Sequence, residues 1–345
     1  MRLSASRSLG PQLPPARWKR NNCDVSKTHI RRIALILAVL FVAGGCGIAY
    51  TGYRRDITQA RERVATGSQL VQTPCGPIEY AAAGSGKPVL VVHGAGGGYD
   101  QGLDFAKHLA HSGLRVIAMS RFGYLRTPLP GDASAAAQAD AHACLLDSLG
   151  IRSAAVIGAS AGAPSSLQFA LRHPQRCTAL ILLVPAAYVP RPAGVSPLKM
   201  PVGTAFLFDT ALRSDFLFWA AMKLARQTVI RAILATPPAV LESAPADEQA
   251  RVAQVLDHVL PISSRRLGLE NDGAIVSSLP RYELERIGVP TLVMSTADDL
   301  FGTFDTALYT AGHIPRARFV SYPSGGHLWV GHQKEVVSEI ISFLQ

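Results

Sequence analysis

The chain has few charged side chains and lacks several patterns that identify common protein classes. Only 17% of its 345 residues are Asp, Glu, Lys or Arg, while 48% are hydrophobic, which indicates a buried globular core and excludes a disordered chain. No Cys or His spacing typical of a zinc site is present. The Gly-x-x-x-x-Gly-Lys-Ser/Thr sequence of phosphate-binding loops is also absent. We therefore expect neither a metal ion nor another cofactor.

The net charge of +10 does not indicate a nucleic-acid-binding protein, because the excess is confined to one end. Residues 1–32 carry eight basic side chains against Asp24 alone, a net charge of +7, which leaves only +3 for the other 313 residues. A basic tail before an apolar run is typical of a membrane-inserted N-terminus. We expect no nucleic-acid partner.

Residues 33–53 contain no charged side chain. As a helix, this run would span roughly 31 Å, which matches a hydrocarbon core of about 30 Å. Positive residues on its N-terminal side predict a cytoplasmic tail over residues 1–32 and a globular domain exported to the cell envelope. The prediction is a membrane-anchored protein whose catalytic domain lies outside the cytoplasm.

A cleaved signal is the alternative for the same run. Ala43-Gly44-Gly45-Cys46 resembles a bacterial lipoprotein cleavage site, and lipidation of Cys46 would replace a spanning helix with a lipid anchor. Both alternatives place the globular part at a membrane, outside the cytoplasm.

Three of the five cysteines, Cys75, Cys144 and Cys177, lie in the globular part, and three cannot all pair within one molecule. Cys144 lies among apolar helix positions and Cys177 begins an apolar strand pattern. We expect both to be buried packing residues, because free cysteine is commonly buried.

Apolar, partly β-branched runs alternate with helical patterns after residue 68, which predicts an α/β fold: a mostly parallel sheet with helices on both faces. Between Val189 and Ile287 the alternation stops for about 95 residues, too long for an ordinary crossover. The expected organisation is a core of residues 68–189 and 288–345 with an inserted helical cap over residues 190–287. Residues 54–67 are expected to form a charged helical connector.

Gly158-Ala159-Ser160-Ala161-Gly162 follows one predicted strand and precedes a helical pattern. A strand, a Gly-x-Ser-x-Gly turn and a helix together predict a nucleophile elbow. There the serine occupies a strained backbone that exposes its hydroxyl, and the glycines two positions away avoid clashes. Ser160 is therefore the candidate nucleophile.

A serine hydroxyl needs a neighbouring base, and the base needs an acid to fix its tautomer. Among ten histidines, His327 stands out because it lies in Gly325-Gly326-His327, just after the last strand, at the sheet edge where ligands bind. His332, five residues further on, is the next candidate for the base. It is expected instead to be a capping residue of the last helix. Asp298 and Asp299 follow the strand that ends at Met294, and either could be the acid; Asp305 is a weaker candidate.

The developing oxyanion needs fixed hydrogen-bond donors. One candidate is the backbone N–H of Ala161, directly after the nucleophile. The other lies in the glycine-rich turn of residues 93–98, where we expect Ala95, with Gly96 as the alternative.

The His-Gly turn at 93–94, the elbow at 158–162, the aspartates at 298–299 and Gly325-Gly326-His327 occur in an order that resembles the α/β-hydrolase superfamily. The resemblance covers residues 68–345. It favours Asp299 over Asp298 as the acid, although Thr296 replaces the glycine usual in that Gly-x-x-Asp spacing. It implies a cap-containing serine hydrolase, similar to carboxylesterases, carbon–carbon bond hydrolases and perhydrolases.

The expected activity is hydrolysis of an ester or similar small acyl substrate (the carboxylic-ester hydrolase class, EC 3.1.1) by a Ser160–His327–Asp299 triad. Carbon–carbon bond hydrolysis or perhydrolysis would use the same triad, and a non-catalytic membrane-anchored binding module is the remaining alternative. An apolar patch in the cap suggests an apolar substrate, or equally cap packing alone. The patch consists of Phe206, Leu207, Phe208, Leu212, Phe216, Leu217, Phe218 and Trp219.

Overall fold

A computed structural model describes residues 22–190 and 212–345. The chain divides after Arg54 into two compact units. The first unit contains most of helix α1 (Asn22–Thr66), in which the side chains of residues 27–51 are exposed. By length and composition alone, residues 27–66 of this helix are long and apolar enough to cross a membrane.

Within the described residues, the second unit is built on one sheet of eight strands in the order β1-β2-β4-β3-β5-β6-β7-β8. The strands are β1 (Gln69–Thr73), β2 (Gly76–Ala83), β3 (Lys87–Val92), β4 (Leu114–Met119), β5 (Ala154–Ala159), β6 (Cys177–Leu183), β7 (Thr291–Thr296) and β8 (Arg318–Tyr322). β2 pairs antiparallel with β1 and β4, and all other neighbours are parallel. The predicted mostly parallel sheet is confirmed.

Helices cover both faces of this sheet, which is why its central strands are apolar throughout. They are α2 (Tyr99–Ala110), α3 (Ala135–Ser148), α4 (Ala163–Arg172), α10 (Thr303–His313) and α11 (Gln333–Leu344). Alternate residues of β3 point to opposite faces: Leu90 and Val92 pack in one core with α3, α4 and α10, and Val89 and Val91 pack in a second core with α2 and α11. The two cores fix the carboxyl ends of the strands, where the candidate site lies.

Helices occupy the described part of the chain between β6 and β7. They are α5 (Asp215–Leu224), α6 (Arg226–Ile233), α7 (Pro238–Ser243), α8 (Ala246–Asp257) and α9 (Arg266–Ser277). Residues 191–211, including the patch residues Phe206, Leu207 and Phe208, lie outside the described residues. The predicted cap over residues 190–287 stays a prediction.

The expectation for Cys144 is wrong. Cys75 and Cys144 form a disulfide across 69 residues of sequence, which joins the turn between β1 and β2 to α3. Cys177 is a buried free cysteine, as predicted, and burial raises the pKa of its thiol to about 12. The pairing was missed because Cys75 lies in a turn whose position beside α3 depends on the tertiary fold.

Candidate active site

Ser160 lies where β5 ends and a short 3₁₀ turn (Ser160–Gly162) leads into α4. Its φ of 50° is in the left-handed region, which L-residues rarely adopt. The sharp turn leaves the serine half-buried at the carboxyl edge of the sheet, on the wall of a cavity.

The two flanking glycines allow close approaches that no other residue would permit. A Cβ at position 158 would lie 2.4 Å from Ser166 Oγ, and one at position 162 would lie 2.5 Å from the carbonyl oxygen of Val92 and 2.7 Å from that of His93. Gly162 thus brings the start of α4 against the end of β3, as the elbow pattern predicts.

His327 and Asp299 form a buried hydrogen-bonded pair, with 2.7 Å between His327 Nδ1 and Asp299 Oδ2. Asp299 also accepts hydrogen bonds from the Thr303 hydroxyl and, at 2.9 Å, from the Phe301 N–H. Burial opposes ionisation of this carboxyl, but the His327 ring and these donors outweigh it and hold the pKa of Asp299 below its ordinary value. The ionised carboxylate fixes the imidazole tautomer with its proton on Nδ1.

Asp298 has a different set of partners. Its carboxylate accepts the N–H groups of Gly325 (3.2 Å) and Gly326 (2.8 Å), and the Thr296 hydroxyl donates to the Gly326 carbonyl at 2.7 Å. The side chains of Asp298 and Thr296 therefore hold the loop that carries His327, although neither forms a hydrogen bond with the His327 ring within the described residues. The hydroxyl of Thr296 thus has a role in this loop that a glycine could not fill.

The other candidates lie apart from this pair. His332 directly precedes α11 and stacks on Tyr322, with 4.3 Å between ring centroids. Asp305 lies in the first turn of α10. Neither contacts Ser160 or His327 within the described residues.

Ser160, Ala161, His327 and Ala95 all line one cavity of about 1090 Å³. No hydrogen bond joins Ser160 Oγ to His327 Nε2 among residues 22–190 and 212–345. In enzymes without substrate such bonds are often long and form only when the substrate is bound.

The glycine-rich turn of residues 93–98 lies directly beside the serine. A Cβ at Gly94 would be 3.1 Å from Ser160 Cβ. The Gly96 N–H already donates to Tyr124 Oη at 3.3 Å, whereas the Ala95 N–H has no hydrogen-bond partner among the described residues. The Ala161 N–H is at a helix start, where N–H groups lack intrahelical acceptors. Of the two alternatives in the turn, Ala95 is the free donor.

The buried His93 ring holds the turn of residues 93–98 through two hydrogen bonds. The Arg121 N–H donates to His93 Nε2 at 2.9 Å, so the ring proton is on Nδ1 and donates to the Gly94 carbonyl at 2.7 Å. Complete burial and the Arg121 cation hold the pKa of His93 well below its ordinary value. The neutral imidazole is therefore a structural brace and not a second base.

Two buried ion pairs that sequence patterns did not reveal join the core to the helices between β6 and β7. Arg121 donates twice to Asp272, both at 2.6 Å, and Tyr124 Oη donates to the same carboxylate at 2.5 Å. Arg265 is fully buried and pairs with Asp100 at 2.7 Å. Its guanidinium also donates to the carbonyls of Gly97, His258 and Val259.

The cavity walls away from Ser160 are largely apolar. They include Ile233, Leu234, Val255, Val259, Ile262 and Leu269. Of the described patch residues, only Leu212 lines the cavity; Phe218 and Trp219 are buried in packing, and Phe216 and Leu217 are partly exposed. Within residues 22–190 and 212–345, no group of three or more His, Cys, Asp or Glu side chains could hold a metal ion.

Comparison with known proteins gives the same fold. Residues 87–228 match the family model of the alpha/beta hydrolase fold. A solved alpha/beta hydrolase fold protein from Nakamurella multipartita is 28% identical, with a TM-score of 0.60 over 80% of this chain and 98% of that one.

Two relatives of similar sequence are named as hydrolases. A 2-hydroxy-6-oxononadienedioate/2-hydroxy-6-oxononatrienedioate hydrolase from Paraburkholderia phymatum is 26% identical over 72% of this chain and 84% of its own length. A protein of Bacillus subtilis named uncharacterized hydrolase YcgS is 37% identical, but that match spans only 31% of this chain and 37% of the relative. With the sheet topology and these matches together, the chain belongs to the α/β-hydrolase superfamily.

Proposed function

We propose that the protein is a serine hydrolase that cleaves an ester or similar acyl substrate through Ser160, His327 and Asp299. The observation that carries the proposal is the hydrogen-bonded His327–Asp299 pair on the wall of the same cavity as Ser160, whose strained turn presents the hydroxyl. This combination is the one that activates a serine for attack on a carbonyl carbon.

In the proposed reaction, His327 Nε2 accepts the Ser160 proton as Oγ attacks the carbonyl carbon. The backbone N–H groups of Ala161 and Ala95 bind the resulting oxyanion. His327 then gives the proton to the leaving alcohol, and an acyl-enzyme remains. Water, deprotonated by the same imidazole, hydrolyses the acyl-enzyme and restores Ser160.

An apolar acyl or aromatic group fits the cavity best. Most of the exposed wall surface is apolar, although charged side chains such as Glu248, Arg251 and Lys334 also line the cavity. A cavity of about 1090 Å³ is large enough for a drug-sized ligand. We therefore expect esters of medium acyl chains to be better substrates than acetate esters.

Carbon–carbon bond hydrolysis is the second candidate. It is favoured by the Paraburkholderia phymatum relative, whose name describes hydrolysis of a 2-hydroxy-6-oxo dienedioate and whose match spans 84% of its length. Perhydrolysis would use the same residues. A non-catalytic binding module would require that Ser160 does not react.

A fluorophosphonate probe tests the proposal on the full-length protein in detergent. We expect labelling of the wild type and none of Ser160→Ala, together with hydrolysis of p-nitrophenyl esters of graded chain length and a parallel assay on a 2-hydroxy-6-oxo dienoate. Cleavage of the dienoate alone would establish the second candidate. An unlabelled wild type that cleaves neither substrate would refute the hydrolase proposal.

For the cellular location, we propose that residues 33–53 anchor the chain in a membrane and that the catalytic domain lies outside the cytoplasm. The Cys75–Cys144 disulfide supports a location outside the cytoplasm, because structural disulfides form mainly in oxidising compartments. Fusions of alkaline phosphatase and of green fluorescent protein to Gln345 in a bacterial host test the topology. We expect an active phosphatase and a dark fluorescent protein, and the opposite pair of results would overturn the assignment. Incorporation of radiolabelled palmitate that is lost in Cys46→Ser would identify the lipoprotein alternative.

A further inference from the structure

The last turns of α1, residues 55–66, belong to the catalytic unit and are packed into it. Ile57 and Ala60 are only 2% and 4% exposed, as in the core of a domain. The chain therefore enters the hydrolase domain directly after its apolar run, with no free linker between residues 55 and 66.

Arg63 makes the deepest polar contacts of this helix. Its Nη2 donates to the carbonyls of Leu260 at 2.6 Å and His258 at 3.2 Å, and lies 3.6 Å from Asp100 Oδ2. The Arg63 carbonyl accepts a hydrogen bond from the Tyr99 hydroxyl at 3.0 Å. One residue thus contacts both the segment between β6 and β7 and the start of α2.

The start of α2 directly follows the glycine-rich turn that carries Ala95. The Asp100 carboxylate forms ion pairs with Arg63 and Arg265. Arg265 also donates a hydrogen bond to the Gly97 carbonyl in the glycine-rich turn. Burial opposes ionisation of Asp100, but these two guanidinium groups outweigh it and hold the pKa of its carboxyl below the ordinary value. The ionised Asp100 carboxylate therefore connects Arg63, through Arg265, to the glycine-rich turn.

Two other residues of the same helix, Asp56 and Arg61, make polar contacts with the helices between β6 and β7. Asp56 pairs with Lys223 and accepts from the Trp219 indole, both at 3.0 Å, and Arg61 pairs with Asp215 at 3.2 Å. Arg61 is two residues from Arg63 and touches no residue of the 93–100 segment among the described residues. It provides a matched control.

We propose that Arg63, in the last turns of α1, is a positioning residue that fixes the oxyanion turn through Asp100 and Arg265. The inference rests on the proposed function, because the turn needs to be fixed only if the Ala95 N–H binds an oxyanion. Preorganised donors stabilise a transition state more than a bound substrate. Loss of Arg63 should therefore lower kcat with little effect on KM.

The test compares Arg63→Ala, Arg63→Lys and Arg61→Ala in the full-length chain. We expect Arg63→Ala to lower kcat on a p-nitrophenyl ester by about 10- to 100-fold, less than the roughly 10²- to 10³-fold loss on removal of an oxyanion donor, because the donor is displaced and not removed. KM should change less than about threefold. Arg63→Lys should recover part of the loss, because an ammonium keeps the charge beside Asp100 but cannot match the planar fork. Arg61→Ala should stay within about twofold of the wild type.

A trifluoromethyl ketone separates positioning from general stability. Its carbonyl carbon bonds to Ser160 Oγ, the serine proton passes to His327, and the former carbonyl oxygen becomes an alkoxide held by the oxyanion donors. In Arg63→Ala its inhibition constant should rise in parallel with the loss of kcat/KM, while the inhibition constant of the carboxylate product stays unchanged.

Hydrogen exchange gives a readout that is independent of catalysis. The amides of residues 94–100 should exchange faster in Arg63→Ala than in the wild type or Arg61→Ala. Unchanged exchange, or equal losses in Arg61→Ala and Arg63→Ala, would overturn the role of Arg63. An inactive wild type would instead count against the proposed function, and exchange would still decide whether Arg63 fixes the turn. If Arg63→Ala does not fold, Arg63→Lys carries the same comparison.

Discussion

Replacement of Asp299 by Asn would test the proposed acid with almost no change in shape. The amide oxygen can still accept the Phe301 N–H, which lies 2.9 Å from Oδ1. The amide nitrogen then takes the place of Oδ2, which lies 2.7 Å from His327 Nδ1 and also contacts the Thr303 hydroxyl. Because that nitrogen is a donor, Nδ1 must become the acceptor and the ring proton must move to Nε2. His327 in this tautomer cannot accept the Ser160 proton.

We expect kcat on p-nitrophenyl butyrate to fall by about 10⁴-fold, as for the equivalent change in a serine protease triad, which corresponds to about 5 kcal/mol of transition-state stabilisation. The control is Asp298→Asn, whose oxygen can still accept the Gly326 N–H; we expect that variant to stay within about tenfold of the wild type. Circular dichroism would verify that both variants are folded. If Asp298→Asn abolishes activity while Asp299→Asn keeps it, the acid has been assigned to the wrong aspartate.

Three further predictions concern stability. The double variant Cys75→Ser/Cys144→Ser should lose about 4 kcal/mol in urea unfolding, the chain-entropy value for a loop of this length, and a wild type equally stable with and without dithiothreitol would contradict it. Asp272→Ala should cost about 3–5 kcal/mol, because it leaves the Arg121 charge buried without its partner; the double variant with Arg121→Met should regain part of that loss. Since the pKa of Asp299 is below its ordinary value in the folded state, its contribution to stability is present above about pH 4 and is lost as the pH falls through the folded pKa. As the pH is lowered from 7 to 2, the melting temperature should therefore fall less steeply for Asp299→Asn than for the wild type. Parallel curves would contradict a lowered pKa of Asp299 in the folded protein.

Local patterns predicted the sheet because each central strand carries its own signal. The sequence pattern at β3, residues 88–92, is apolar at every position, which is required where both faces of a strand are covered. The observed strand (Lys87–Val92) begins one residue earlier. The elbow was equally visible, because the two close approaches at Gly158 and Gly162 exclude any side chain at those positions.

Local patterns did not separate Asp298 from Asp299, and only the family resemblance favoured Asp299 as the acid. Both residues follow the same strand, and they differ only in which part of a loop 27 or 28 residues away each one meets. Asp298 meets backbone N–H groups and Asp299 meets an imidazole, a difference that no local propensity encodes.

Pairs between distant residues were beyond any local signal. Arg121 and Asp272 are 151 positions apart, and Arg265 and Asp100 are 165 apart, so no spacing or periodicity connects them. Cys144 was expected to be a packing residue because its helix neighbours are apolar, and its partner Cys75 becomes apparent only once β2 and α3 are packed together.

The close approach at Gly162 restricts how this enzyme can acquire new substrates. Since the carbonyls of Val92 and His93 leave no room for a Cβ there, the elbow and the neighbouring turn cannot be enlarged independently of each other. Directed evolution should therefore find its tolerated, range-altering substitutions among the cavity-lining residues of α6, α8 and α9, such as Ile233, Val255 and Leu269, while libraries that vary residues 92–96 and 158–162 yield mostly inactive proteins.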